Sequence, residues 1–423
     1  DGSIRPVRQF GPRSRPDAFF SPDGRYLAYS APSASGQDYD LFVFDLSSGR
    51  DVSLFEQASN DNVLGWSEDG RHVYFWSDRA GSSIWAFPVR EGSRAGDPVL
   101  IRRDVQGFIG GQVANGRLLY HSVAETKRVY TMAVEMASGR MLSEPVPVPG
   151  TGWHSGPKWS PDGEHLAYVR GAVSSGQMSV VVRSSEGEDV REFPLPAPFQ
   201  EGVAKRWTPD GGKLFVPANG PERRVLTLDL TDGQFSIGPV SPVNPARPLS
   251  ADGTIVYQPG RAIDLRTGEA RAFVTGVDLE ASNGRYPGTP CRIGGSVALS
   301  PDDRTLAFAS NPLQINEGEF CVGTIPLDGG PATIVYRNPE LQDPAIAWSA
   351  DGRDLLFTLE AGGPAREMWT IPAAGGTARK LFTFDGIEAI SVNPDNRRLA
   401  FLGGVERYEV WVMEGLDDFV ASR

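Results

Sequence analysis

The sequence predicts an all-β fold built from repeated four-stranded units, and three observations support this prediction. A short phrase recurs nine times along the 423 residues, most clearly in Phe19–Ser30, Lys158–Val169 and Leu299–Ser310. Each copy contains a turn of the type Pro-Asp-Gly, with short alternating apolar runs on both sides. No long helical periodicity separates the copies, and 49 Gly and 34 Pro suit a chain with many tight turns.

The third residue of the turn sets the register of the repeat. Its spacing ranges from 42 residues (Asp210 to Asp252) to 50 residues (Asp252 to Asp302). In this turn Pro presets φ, Asp bonds nearby backbone and Gly accepts a positive φ, so the recurring acid is expected to be structural. The nine positions are Asp23, Asp69, Asn115, Asp162, Asp210, Asp252, Asp302, Asp351 and Asp395.

Four short strands per unit are typical of the blade of a β-propeller. We therefore predict one closed propeller domain over residues 1–423, with nine four-stranded blades. Eight blades are the alternative, because the unit around Asn115 lacks the acid and the unit around Asp252 is short. The ring is expected to be sealed by pairing of Arg5–Phe10 with the strands around Glu409–Met413, which removes exposed sheet edges.

The repeat resembles that of the TolB-type β-propeller family. The resemblance rests on Trp-Ser-Pro-Asp-Gly-x2-Leu-Ala-Tyr at Trp159–Tyr168 and on near copies at Trp207–Phe215 and Trp348–Phe357, and it covers essentially the whole chain. It implies the fold and leaves the function open, since such blades serve as partner-binding, sensor and peptidase-gating domains. The chain departs from the TolB protein, which has six blades and a preceding α/β domain, so TolB's partner is not carried over.

Composition excludes several classes of function. A formal net charge of −12 argues against nucleic-acid binding and disfavours an anionic membrane surface. No run of about 18 apolar residues is present, so no direct membrane insertion is expected. The chain begins Asp1-Gly2 rather than Met, so we expect a processed protein or a piece of a larger, membrane-anchored receptor.

The two cysteines predict a disulfide and a compartment. Cys291 precedes the seventh unit and Cys321 lies near its third strand, on loops that emerge on the same face of a blade. A disulfide between them implies an oxidising compartment, either periplasmic or secreted; two unpaired thiols are the alternative. With two Cys and four scattered His there is no metal-ligand spacing, and we expect no metal and no cofactor.

A catalytic constellation is not evident in the sequence. The nearest approaches to a Gly-x-Ser-x-Gly nucleophile turn, at Gly65–Asp69 and Gly295–Val297, lack the second Gly and lie in predicted strands. Gly-Gly pairs such as Gly329-Gly330 are hairpin turns by context. We therefore expect no catalytic residues.

The residue four positions before each turn acid is expected to face the axial channel. Most of these residues are small, but Lys158 and Arg206 stand on adjacent units, with Trp153, His154 and Lys205 nearby at the channel mouth. This cationic wall predicts binding of a small anion or an acidic peptide end through charge-assisted hydrogen bonds. In the alternative interpretation both long side chains extend into channel water.

The loops at one end of the predicted ring form a second candidate surface. Aromatic and Arg anchors within a polar rim are typical of protein recognition. In the alternative interpretation the aromatic residues pack beneath their own loops. The candidate partner-binding residues are Phe108, Arg285, Tyr286, Asp61 and Asp343.

The expected function is that of a non-enzymatic, extracytoplasmic binding or sensor module for a protein, a peptide or a small anionic ligand. The alternative is a propeller enzyme such as a lyase acting on an acidic polysaccharide. Such a lyase is expected to cluster His residues and a metal on one face. His72, His121, His154 and His165 are spread over three units, which favours binding over catalysis.

Overall fold

A computed structural model of the chain shows a molecule that is almost entirely β-strand. No helix in the described part of the chain is long and apolar enough to cross a membrane. The residues that the structure describes are 17–33, 39–56, 59–105, 108–125, 127–136, 138–150, 152–171, 178–187, 190–196, 199, 201–202, 205–220, 222–241, 247–258, 260–274, 291, 295–309, 320–338, 344–405 and 407–421.

The strands follow one another along the chain with short connections. The first eleven are β1 (Ala18–Phe20), β2 (Tyr26–Pro32), β3 (Tyr39–Asp45), β4 (Asp51–Phe55), β5 (Asp61–Trp66), β6 (His72–Ser77), β7 (Ser83–Arg90), β8 (Ser93–Arg94), β9 (Val99–Arg102), β10 (Phe108–Ala114) and β11 (Arg117–Glu125). The next twelve are β12 (Arg128–Glu135), β13 (Arg140–Met141), β14 (Val146–Pro147), β15 (Trp153–Trp159), β16 (His165–Gly171), β17 (Met178–Ser184), β18 (Val190–Pro194), β19 (Glu201–Gly202), β20 (Arg206–Trp207), β21 (Lys213–Asn219), β22 (Arg224–Asp229) and β23 (Phe235–Val240).

The remaining elements end in a short helix. They are β24 (Ile255–Gln258), β25 (Arg261–Asp264), β26 (Ala270–Ala272), β27 (Ser296–Leu299), β28 (Thr305–Ala309), β29 (Phe320–Pro326), β30 (Thr333–Asn338), β31 (Ile346–Trp348), β32 (Asp354–Glu360), β33 (Ala365–Pro372), β34 (Arg379–Asp385), β35 (Glu388–Val392), β36 (Arg398–Gly403), β37 (Arg407–Met413) and α1 (Leu416–Ala421).

Within the described residues these strands form nine antiparallel sheets. We number the sheets along the chain, and one of them, sheet IV, combines strands from two distant parts of the sequence. They are sheet I (β1–β4), sheet II (β5–β9), sheet III (β10, β11, β37), sheet IV (β35, β36, β12 with β13 and β14), sheet V (β15–β18), sheet VI (β19–β23), sheet VII (β24–β26), sheet VIII (β27–β30) and sheet IX (β31–β34). Each of the nine predicted turns starts one sheet. In seven sheets it lies between the first two strands named above, and in sheet VI it lies between β20 and β21. In sheet VII it lies between Leu249 and Val256, which form a single bridge across it.

The repeated acid is an acceptor inside its own turn. In sheet V the Ser160 hydroxyl donates to Asp162 Oδ1 (2.5 Å), which also accepts the backbone N–H of Glu164 (2.9 Å). The hydrogen bond from Ser160 is the main reason that the pKa of the Asp162 carboxyl is lowered. The same Ser or Thr to Asp bond occurs in sheets I, II, VI, VII, VIII and IX.

The described chain divides into two compact units, whereas the sequence predicts one domain over residues 1–423. Unit 1 contains sheets I to III and α1. Unit 2 contains sheets IV to IX, that is, β12–β36. The chain passes from unit 1 to unit 2 after β11 and returns after β36.

Unit 2 begins and ends in the same sheet. Its first strand, β12, pairs with β36 from Arg128↔Gly403 to Ala133↔Arg398, and β35 pairs with the other edge of β36. Apolar side chains form six cores in this unit, and each core is shared by two sheets. The cores join sheets IV and V, V and VI, VI and VII, VII and VIII, VIII and IX, and IX and IV.

Unit 1 is completed by the C-terminal strand. β37 pairs with β11 from Leu118↔Met413 to Glu125↔Arg407, so the strands around Glu409–Met413 lie in sheet III. The predicted partner segment Arg5–Phe10 lies outside the described residues. One core joins sheets I and II, and a second joins sheets II and III with α1.

Candidate functional site

Four cationic side chains of unit 2 interact with one another, and we call Lys158, Lys205, Arg206 and Arg247 the cationic cluster. Trp207 Nε1, next to Arg206, donates to the Lys158 carbonyl (3.1 Å), and Arg206 Nη1 donates to the Leu249 carbonyl (2.9 Å), two residues after Arg247. The charge of Arg206 contributes to a lowered pKa of Lys158, and the charges of Lys158 and Arg247 contribute to a lowered pKa of Lys205. The structure therefore brings together the three cations predicted from the sequence and adds a fourth. They come from sheets V and VI and from the segment that leads into sheet VII.

A bulge in β15 sets the position of Lys158. The register of β15 against β16 shifts between Ser155 and Lys158, and Gly156 in this bulge adopts a φ of 52°. A bulge adds a residue to one strand and re-aims the side chains that follow. Lys158 is half-buried, and its ammonium group has no hydrogen bond or ion pair within the part of the chain that the structure describes.

Arg206 reaches across three sheets. It lies on β20 in sheet VI, where its backbone pairs with Phe215. Its Nη1 donates to the Leu249 carbonyl (2.9 Å) beside sheet VII, and its Nη2 donates to both carboxylate oxygens of Asp303 (2.7 and 2.8 Å) in the turn of sheet VIII. The Arg206 side chain therefore connects sheet VI to the segment before sheet VII and to the turn of sheet VIII.

Arg247 was not singled out from the sequence, although a signal was present. It stands five positions before Asp252, and Lys205 stands five positions before Asp210, so both occupy the same place in the repeat. Arg247 Nη1 donates to the Gly295 carbonyl (2.8 Å), which leads into sheet VIII. The repeat position next to the predicted channel-facing residue thus contributes cations as well.

Loss of hydration lowers the pKa of both lysines of the cluster, so each holds its proton less tightly than an exposed lysine does. Burial, with a smaller contribution from the positive charge of Arg206, lowers the pKa of the Lys158 ammonium group to about 8. Burial lowers the pKa of Lys205 to about 7, with smaller contributions from Lys158 and Arg247. Lys158 retains partial solvent access, but protein atoms surround its ammonium group closely enough to strip much of its water.

Asp303 is a second residue that the sequence reasoning missed. It follows Pro301-Asp302, in the place where the turn motif has Gly, and it adopts a φ of 58°, in the left-handed region that favours Gly. The presence of an acid in place of Gly was the sequence feature that could have identified Asp303. The corresponding residues in the other turns are Gly24, Gly70, Gly116, Gly163, Gly211, Gly253, Gly352 and Asn396.

His154 is interior, which corrects its prediction at the channel mouth. It is 2% exposed, stacks on Tyr168 with ring centroids 4.8 Å apart, and its Nδ1 accepts the backbone N–H of Val129 (3.1 Å). Burial lowers the pKa of its imidazole to about 4, with help from the charges of Arg128 and Arg170. His154 therefore holds β12 against β15 and is not exposed to bind a ligand.

Trp153 also packs inside unit 2. It is half-buried against the core that sheets V and VI share, and its indole lies over Gly171 so closely that a Cβ there would meet Trp153 Cε2 at 2.2 Å. This is the packing role that the sequence left as the alternative for such aromatic residues.

The five predicted partner-binding residues do not form one described surface. Asp61 is fully buried in unit 1, where it accepts from Arg79 Nη2 (2.7 Å), so its exposure was predicted wrongly. The backbone of Phe108 pairs with Ser122 in sheet III. Arg285, Tyr286 and Asp343 lie outside the described residues.

Cys291 and Cys321 form a disulfide, as the sequence predicts. The sulfur atoms are 2.02 Å apart, and both residues are fully buried in the core that sheets VII and VIII share. Among the described residues, no group of three or more His, Cys, Asp or Glu side chains is placed to hold a metal ion.

Comparison with known proteins gave few sequence relatives. No family model matches the chain. The uncharacterized protein Atu1656 of Agrobacterium fabrum strain C58 is 27% identical over 159 residues, which are 36% of this chain and 53% of that protein. The match thus spans about half the length of this curated relative.

Several solved structures are similar to the chain. A protein of Agrobacterium tumefaciens provisionally named TolB aligns over 67% of this chain and 99% of its own, with 16% identity and a TM-score of 0.47. TolB from Acinetobacter baumannii aligns over 83% and 81%, with 12% identity and a TM-score of 0.42. An oligogalacturonate lyase in complex with manganese aligns over 69% and 84%, with 15% identity and a TM-score of 0.31.

Proposed function

We propose that unit 2 is a closed six-bladed β-propeller whose axis carries an anion-binding site. Each sheet of the unit shares apolar cores with two others, and following the cores from sheet IV through sheet IX leads back to sheet IV. The pairing of β12 with β36 ties the first strand of the unit to its last sheet, which is how a propeller avoids open edges.

The observation that carries the proposal is the cationic cluster inside an acidic protein. The chain has a formal net charge of −12, yet four cations from neighbouring sheets meet in unit 2. Partly dehydrated like charges raise the free energy of the empty site, as the lowered pKa values of both lysines indicate. An anion relieves this repulsion and forms charge-assisted hydrogen bonds, so the site favours a carboxylate or phosphate ligand.

We propose that this module binds its ligand without transforming it and works outside the cytoplasm. The ligand class is a small anion or the acidic end of a peptide or protein partner. The buried disulfide between Cys291 and Cys321 supports an oxidising compartment, periplasmic or secreted. Labelling of thiols in intact cells before and after reduction tests the compartment, because a cytosolic protein would expose two reduced cysteines after denaturation.

The site is tested by calorimetric titration of the chain with citrate and with inorganic phosphate. Lys158→Met keeps the length of the side chain and removes its charge. We expect it to weaken citrate binding by about tenfold or more, the value of one lost charge-assisted bond. Lys213→Met is the matched control, because Lys213 is an exposed lysine of sheet VI paired with Asp229 (3.0 Å). Equal affinities for both variants and wild type would refute the site.

One observation favours a second candidate, a lyase acting on an acidic polysaccharide. A lysine with a pKa of about 7 is half neutral near neutral pH and can take a proton beside a uronate carboxylate that arginines neutralise. Incubation with polygalacturonate, followed by the ultraviolet absorbance of the unsaturated product, tests this candidate. Product formation by wild type that is lost in Lys205→Met would establish the lyase and replace the binding proposal.

A further inference from the structure

The Arg206–Asp303 pair differs from other ion pairs of unit 2 because it joins residues of non-neighbouring sheets. Arg206 lies in sheet VI and Asp303 in the turn of sheet VIII, 97 residues further along the chain. Both side chains keep some contact with solvent, at 22% and 27% relative exposure. A polar group from outside can therefore reach either partner.

The contact uses only part of the hydrogen-bonding capacity of Arg206. Nη2 contacts both oxygens of Asp303, while Nη1 is bonded to the Leu249 carbonyl. In the strong arrangement two parallel N–H groups face one carboxylate, and this pair lacks that geometry. Solvent-accessible pairs contribute at most about 1 kcal/mol, so an incoming anion can exchange with Asp303 at little cost.

Asp303 is also an unusual residue for its backbone position. Seven of the other eight turns have Gly there, and Asp at a φ of 58° lies in a region that side chains other than Asn and Asp rarely adopt. Gly satisfies the turn in its sister sheets, so the turn itself does not require the carboxylate. What the carboxylate adds in sheet VIII is its contact with the cationic cluster.

Resting on the proposed anion site, we infer that Asp303 is an internal competitor that holds Arg206 in the empty site and that the ligand displaces it. Asp303 then acts as a specificity-determining residue. A ligand with one carboxylate replaces the Asp303 contact with a similar one and gains little. A ligand with two or more anionic groups also reaches the lysines of the cluster, so the site selects multiply charged anions.

The inference is tested by titrating acetate and citrate into wild type, Asp303→Asn and the control Asp328→Asn. Asp328 is an exposed acid in the hairpin between β29 and β30 of the same sheet, so its removal changes the net charge equally. We expect Asp303→Asn to bind acetate about two- to fivefold more tightly than wild type, the factor that a partly exposed ion pair represents. The control should bind like wild type.

A second variant guards against a folding defect. Asp303→Gly places in sheet VIII the residue that the sister turns carry and should show the same gain in acetate affinity. Unchanged or weaker binding in both Asp303 variants would overturn the inference, whereas weaker citrate binding by Lys158→Met would at the same time uphold the anion site. If neither wild type nor the Asp303 variants bind citrate, the anion site itself is refuted.

Discussion

Both units bury apolar side chains between their sheets, but they do so in different numbers of cores. Unit 2 has six sheets and six shared cores, whereas unit 1 has three sheets and two shared cores within the described residues. Both units expose some large apolar side chains, such as Phe20 at 64% and Tyr408 at 62% in unit 1 and Ile237 and Val146 at 58% in unit 2.

The units also differ in what their central ion pairs do. In unit 1 Asp61 is fully buried and its partner Arg79 is only 14% exposed, with the guanidinium carbon 4.0 Å from the centroid of the Phe55 ring. In unit 2 the Arg206–Asp303 pair keeps solvent access on both sides. The first pair packs against a core, whereas the second belongs to the proposed anion site, where we expect a ligand to replace Asp303.

Removal of the C-terminal segment should produce the largest difference in stability between the two units. A chain ending at Val405 lacks β37, which forms the outer strand of sheet III, and α1, whose Leu416 and Val420 enter the core of sheets II and III. We expect calorimetry to lose the unfolding transition of unit 1 while that of unit 2 persists, since the cores of unit 2 come from β12–β36. A chain ending at Gly415 keeps β37 and should retain a weakened transition. Loss of both transitions in the shorter chain would contradict this view of unit 2.

The two ion pairs should respond very differently to neutralisation. Asp61→Asn leaves the buried Arg79 charge without its counter-ion, and we expect the free energy of unfolding of unit 1 to fall by about 3–5 kcal/mol. Asp303→Asn should change that of unit 2 by at most about 1 kcal/mol. Denaturant titration of both variants measures the contrast. Similar losses in the two variants would mean that Asp303 belongs to a core after all.

Sequence reasoning succeeded where one residue type repeats and failed where the repeat is interrupted. The nine turns, the all-β class and the Cys291–Cys321 disulfide were readable, because turn chemistry and strand alternation are local. The sequence does not reveal that β11 pairs with β37 in sheet III and that β12 pairs with β36 in sheet IV. Pairing each strand with its neighbour along the chain would satisfy the same alternation of apolar residues, and the two arrangements differ only in long-range partners. For the site, the register placed Lys158, Lys205 and Arg206 near one another, and their role in ligand binding stays a prediction.

The residues placed wrongly were those whose burial depends on neighbouring sheets. His154 and Asp61 are polar residues at the starts of strands, which the sequence places near loops. Both are buried because a strand of another sheet or an arginine of the same sheet covers them. Polar type alone does not distinguish a loop residue from a satisfied interior residue.

Acid should weaken unit 2 through His154, which is more deeply buried than His72, the half-buried histidine of unit 1 whose pKa burial also lowers. Burial lowers the pKa of His154 to about 4, below the 6.5 of an unfolded chain. Its contribution is therefore complete above pH 6.5 and is lost progressively as the pH falls through that range towards 4. The melting temperature of unit 2 should fall over this window, and less so in His154→Gln. An identical decline in the variant would assign the acid sensitivity to other groups.

The smallest expected effect is the pH dependence of anion affinity in unit 2. Lys205 and Lys158 lose their protons around pH 7 and 8, so the positive charge of the empty cluster falls as the pH rises from 6 to 9. Affinity for citrate, whose own charge is nearly constant above pH 7, should then fall severalfold between pH 7 and 9. Bound citrate stabilises the protonated lysines, so proton uptake should accompany binding near pH 8. In Lys158→Met the decline should shift towards pH 7, because Lys205 alone then titrates in the cluster. A flat affinity across this range in wild type would show that the lysines stay charged, and that the arginines carry the interaction with the anion.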